Sequence, residues 1–150
     1  MSGGLSDEER LAWRSFLSAK VRLLERLDHE LQRRSQLSLT DYDILAELHR
    51  APERRLRMSE LAERVMVSRS RLTYRIDRLE GLGHVTREEC EDDRRGLFAI
   101  LTDGGADAYA RATPGHLDDV RRWFFHAMSR DELATVGRVM SRMDANLPTT

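Results

Sequence analysis

Between Ser68 and Gly83 the chain reads SRSRLTYRIDRLEGLG. Leu72, Ile76 and Leu79 fall at i, i+4 and i+7, the apolar stripe of a helix. Ser70, Arg71, Tyr74, Asp77 and Arg78 project away from that stripe, with Thr73 and Arg75 on its flanks. Guanidiniums present a rigid fork of donors suited to phosphate, and hydroxyls give or take single hydrogen bonds. A helix N-terminus adds unpaired N–H groups and a partial positive charge, with Ser68 placed to cap it. This is the chemistry of gripping an anionic polymer. Alone, an arginine-bearing helix face is usually just solvated, so its neighbours must decide.

Covalent chemistry finds little support. There is no glycine-rich phosphate loop and no nucleophile with a placed base, so no enzymatic activity and no cofactor are expected. His29, His49, His84, His116 and His126 lack metal-ligand spacing, and no metal site is expected. The single cysteine, Cys90, excludes an internal disulfide framework. Glu88, Glu89, Glu91 and Asp92 surround it in sequence and disfavour its thiolate, so the strand cysteine reads as a small apolar filler.

A chain of 150 residues suits one domain with a real core. Its formal net charge is −1, so any basic site must be local, and its cations are arginines apart from Lys20. No secretory leader and no membrane-spanning run is legible, which predicts a cytoplasmic protein with no membrane partner.

The elements that must position the arginines are predicted as follows. Ser6 to Glu9 is a capping box opening a long helix. Its two stripes, Phe16, Leu23, Leu27 and Leu17, Leu24, Leu31, are wider than one small core needs; the helix either crosses the protein or meets a second chain. Leu39 to Asp43 opens a short helix with Tyr42, Leu45 and Leu48 inward, closed by Pro52. Arg54 to Arg57 reads as a loop. Met58-Ser59-Glu60 caps a third helix to about Val65, and a tight turn leads to the stretch at Ser68. Two short helices joined in this way form a helix-turn-helix.

After Gly83, placed for a left-handed helix end, residues 84–90 and 97–102 read as strands around a charged turn at 91–96, a two-stranded wing. A helix follows from Thr102-Asp103-Gly104 to about Ala127, with an interruption expected at Pro114-Gly115. The last helix starts at the Ser129 to Glu132 box and carries Leu133, Val136, Met140, Met143 and Leu147 on its apolar side. The fold class is therefore mainly α with a small β wing.

The run from Met58 to Gly105 resembles the DNA-binding lobe of the MarR family of bacterial transcriptional regulators, most specifically in Asp93-Arg94-Arg95 followed by Leu101-Thr102 and Gly105. The flanking helices match that family's dimerisation lobe in order and length. The resemblance implies a winged helix-turn-helix lobe at about 39–102, dimerisation helices at about 6–34 and 103–147, and a homodimer on a palindromic double-stranded operator. Such a protein is usually a repressor released by a small ligand or by thiol oxidation. In that setting Arg71, Tyr74 and Arg75 would approach base edges, and Ser68, Ser70 and Thr73 would bond backbone or bases. Arg94 and Arg95 would reach the minor groove, with Asp93 holding Arg95 extended. The family often reads Thr-Arg where this chain has Thr73-Tyr74, so base preference there does not carry over.

The resemblance further implies a small ligand, phenolic or anionic, between the two lobes. Trp13, Tyr42, His49 and His116 are candidates to line it, since an aromatic with a polar tip suits an amphipathic guest. Two alternatives stand beside the regulator: a winged-helix protein-interaction module, and a repressor that senses oxidation through Cys90. Thiol-sensing members carry their cysteine near the start of the first long helix, and this chain has none there.

Overall fold

The computed structural model describes residues 3–148, and of Asp93, Arg94 and Arg95 the backbone alone. The order is α1 (Asp7–Ser35), α2 (Leu39–Arg50), β1 (Arg55–Arg57), α3 (Met58–Arg64), α4 (Arg69–Gly81), β2 (Val85–Cys90), β3 (Asp93–Leu101), α5 (Asp103–Trp123) and α6 (Arg130–Asn146). Short 3-10 turns occupy Pro52–Arg54 and Phe125–Ala127. The chain divides after His116 into two compact units.

Helix starts follow local chemistry. Ser6, Ser38 and Ser129 each accept from the backbone N–H three residues on, while Glu9, Asp41 and Glu132 accept the reciprocal bond from the cap. Ser68 caps α4 by accepting from Arg71 N at 3.2 Å. Gly83 ends that segment with φ 75°, the left-handed conformation expected of it.

Four expectations need correction. The segment read as a loop contains β1, which pairs antiparallel with β3 in the register Leu56↔Ala99, so the wing is three-stranded in the order β1-β3-β2. A three-residue strand has no period of its own; its pairing partner more than forty positions away creates it. α3 starts without a side-chain cap because β1 runs straight into it. The hairpin turn is only Glu91-Asp92, with a register shift at Glu89/Cys90, and β3 begins at Asp93. α5 passes unbroken through Pro114 and Gly115 and ends at Trp123.

The core of the first unit joins Leu45 and Leu48 of α2, Leu61 of α3, Leu72, Ile76 and Leu79 of α4, and Val85 and Ala99 of the wing. The predicted stripe of α4 thus anchors the arginine-bearing helix by its inner face. α1 buries only its C-terminal part, through Leu27 and Leu31; Leu17, Val21 and Leu24 remain exposed in this chain.

Candidate nucleic-acid interface

Burial of the Leu72, Ile76 and Leu79 stripe fixes what α4 turns outward. Ser68, Arg69, Ser70, Arg71, Thr73 and Tyr74 are exposed, Tyr74 by 65%. Ser68 and Ser70 hydroxyls lie 3.3 Å apart at the helix start. Thr73 donates its hydroxyl proton to Arg69 O at 3.0 Å and is left an acceptor.

The arginines separate into two kinds. Arg78 donates to Asp41 Oδ2 at 2.8 Å and to Gln36 O at 2.9 Å. Arg75 lies 3.7 Å from Asp41 Oδ1 with its side chain 22% exposed, and its guanidinium sits 5.7 Å from the Tyr74 ring centre. Asp41 itself is fully buried. Arg87 of β2 braces the other flank of α4 through Asp77, Glu80 and Thr73 O. Arg69 and Arg71, by contrast, have no ion pair among the described residues. An uncompensated pair of guanidiniums on the first turn of a helix adds its charge to the helix's own positive end.

Sequence reading singles out Arg71 but passes over Arg69, although its position directly after the cap marks it. Arg75, read as a base-edge candidate, is drawn back toward Asp41. Asp41 is an anchor that sequence reasoning missed; the signal is the Ser38-x-x-Asp41 box, which buries the carboxylate at a helix start. Asp93, Arg94 and Arg95 fall at the start of β3, and their side chains lie outside the described residues.

Of the four candidate ligand residues, three are brought together. The Tyr42 ring is 4.3 Å from His116 and 5.3 Å from Tyr109, and His49 is 4.9 Å from Tyr109. The Tyr42 hydroxyl is 3.2 Å from that of Thr113, and burial pushes its phenol above the ordinary tyrosine range. Trp13 stacks instead on Phe16, with centroids 6.2 Å apart, and is 54% exposed. Tyr109, the ring that joins the cluster, is absent from the sequence-based set.

A capped helix on a buried stripe, preceded by a short helix and braced by a three-stranded wing, defines a winged helix-turn-helix protein. Residues 35–96 match the family model described as MarR family. The HTH-type transcriptional regulator PecS of Dickeya dadantii (strain 3937) is 31% identical over 133 residues, 87% of this chain and 79% of that protein. The chain belongs to the MarR family of transcriptional regulators. Among solved structures, Sco3205, a MarR family regulator from Streptomyces coelicolor crystallised in complex with DNA, superposes with a TM-score of 0.95 at 39% identity, covering 100% of this chain and 94% of its own. AbsC of the same organism gives 0.90 at 35% identity over 96% and 97%.

Proposed function

We propose that the protein is a homodimeric, sequence-specific repressor that inserts α4 into the major groove of a palindromic operator and is released by a small ligand. The observation that carries the DNA reading is the pair Arg69 and Arg71, exposed and without acidic partners among the described residues at the start of α4, beside an outward Tyr74. The Sco3205 complex with DNA, at 39% identity over the full chain, supports the same use of this fold. In this reading Arg69 and Arg71 take phosphate or base edges, Tyr74 touches a base, and Arg94 and Arg95 follow the wing to the minor groove. Arg75 serves first to hold the helix against Asp41. Tyr42, His49 and His116, with Tyr109, are the proposed ligand contacts; Trp13 is not among them. A cytoplasmic location fits this role, and no helix among the described residues is long and apolar enough to cross a membrane.

Dimerisation is supported by the exposed apolar residues of α1, among them Leu11, Trp13, Val21 and Leu24, and by Val139, Met140 and Met143 of α6 with Leu147 just after it. Faces of this size seek cover. Purified protein should enrich a palindromic motif from a random duplex library, with half-sites one helical turn apart, about 10 base pairs. Failure to enrich any motif, together with capture of a protein partner, would favour the interaction module instead.

A further inference from the structure

Beyond the first turn of α4 the arginines are turned away from the outward face. Arg75 is held 3.7 Å from Asp41 Oδ1, and Arg78 donates to Asp41 Oδ2 at 2.8 Å. Arg87 of β2 directs its donors to Glu80 at 3.0 Å and to Asp77. In the second turn, residues 73–76, the exposed side chains are therefore Thr73 and Tyr74. Neither offers the guanidinium fork that grips guanine. Resting on the operator reading proposed above, we infer that the second turn of α4 reads A·T sequence: the Tyr74 ring packs on a thymine 5-methyl group, and the Thr73 hydroxyl accepts a hydrogen bond from the N6 amine of an adenine.

The state of the Thr73 hydroxyl carries the second contact. Its proton goes to Arg69 O at 3.0 Å, so toward the groove the oxygen can only accept. In the major groove the donors are the exocyclic amines of adenine and cytosine, whereas guanine N7 and O6 and thymine O4 are acceptors. An acceptor set against guanine or thymine O4 has nothing to bond. Adenine is chosen over cytosine by the neighbouring ring, because the partner of adenine bears a methyl group and the partner of cytosine does not.

The setting of the Tyr74 ring carries the first contact. Arg75 covers one of its faces, with the guanidinium carbon 5.7 Å from the ring centre, and Asp41 holds that arginine in turn. The rest of the ring is open, and the residue is 65% exposed. An apolar surface fixed at the middle of the outward face is matched by the one apolar group on the major-groove edges, the thymine methyl. Tyr74 stands three residues beyond Arg71, about 4.5 Å along the helix axis, against about 3.4 Å for one base-pair step. The two side chains thus meet adjoining pairs, and the A·T preference belongs to the inner one.

The test measures binding of the full chain to the operator that the unsubstituted protein selects. In one half-site each thymine in turn is replaced by deoxyuridine, which lacks only the 5-methyl group, and each adenine by purine, which lacks only the N6 amine. At one thymine, loss of the methyl should weaken the unsubstituted protein about fourfold, the worth of one buried methyl group. Tyr74→Phe should keep that effect and Tyr74→Ala should abolish it. At one adenine, loss of the amine should weaken the unsubstituted protein about fivefold, the worth of one hydrogen bond, and leave Thr73→Val indifferent. If no thymine methyl matters, or if the losses fall equally on the variants, the A·T reading is overturned while operator binding stands. If no operator is selected at all, both fall.

Discussion

Arg78 of α4 donates to the fully buried carboxylate of Asp41 at 2.8 Å, across 37 residues of sequence. Asp41 also accepts from Ser38 N at 2.9 Å, so one side chain closes the start of α2 and fixes the outward helix to it. Asp41→Ala leaves Arg78 and Arg75 facing a void and Ser38 without its reciprocal bond. The expected loss is about 2 to 3 kcal/mol of stability in urea unfolding, since Arg78 stays partly solvated and keeps its bond to Gln36 O. A loss under about 1 kcal/mol would show that the carboxylate is not the anchor.

Gly105 and Gly104 stand side by side but differ in space. A Cβ at Gly105 would fall 2.1 Å from His84 O and 2.7 Å from Leu101 Cδ1, whereas one at Gly104 meets Gly83 O at 3.4 Å. Gly105→Ala should destabilise by about 1 to 3 kcal/mol or prevent folding, and Gly104→Ala should be near neutral. Thermal melts of the two variants make the comparison, and equal effects would contradict the close approach of α5 to the His84 turn.

Met66 sits in the turn between α3 and α4 with φ 56° and is 88% exposed. A side chain there bears the left-handed steric cost and buries almost nothing to offset it. Met66→Gly should therefore raise stability, by about 1 kcal/mol, without altering the fold. A lower unfolding midpoint would mean that the thioether makes a contact in the folded protein.

The proposed homodimer should sediment at micromolar concentration with about twice the chain mass of 17.4 kDa. Charged substitutions in the exposed α1 row, Val21→Glu with Leu24→Glu, should shift it to the monomer. A stable monomer of the unsubstituted chain would remove the palindrome from the proposal.

What is legible in the sequence is mostly local. The serine caps at Ser6, Ser38, Ser68 and Ser129, the α4 stripe and the left-handed Gly83 all depend on residues within one turn, and each can be read there. What escapes depends on distant partners. β1 exists because Leu56 pairs with Ala99, and Arg75 and Arg78 look free on a helical wheel until Asp41 is folded against them. Tyr42, His49 and His116 are legible as aromatic rings with a polar tip, and these three of the four candidates do meet. Tyr109, the ring between them, is the same kind of side chain, but only the packing of α5 against α2 places it among them.

Tyr74, 65% exposed at the middle of the outward face of α4, should change which sequence is preferred when replaced. Tyr74→Ala should cost about 1 to 3 kcal/mol on the best site and much less on scrambled duplex. Cys90→Ser, at a thiol only 4% exposed, should leave both binding and any peroxide response unchanged.

The most direct measurement is a salt titration of binding, on the selected operator and on a scrambled duplex, for the unsubstituted protein and for Arg69→Ala with Arg71→Ala. If the unpaired guanidiniums at the start of α4 meet DNA, the double variant should bind both duplexes more weakly. The slope of log affinity against log salt should then flatten by about 0.9 for each phosphate that is no longer neutralised. Full affinity and an unchanged slope on both duplexes would contradict a DNA-facing α4.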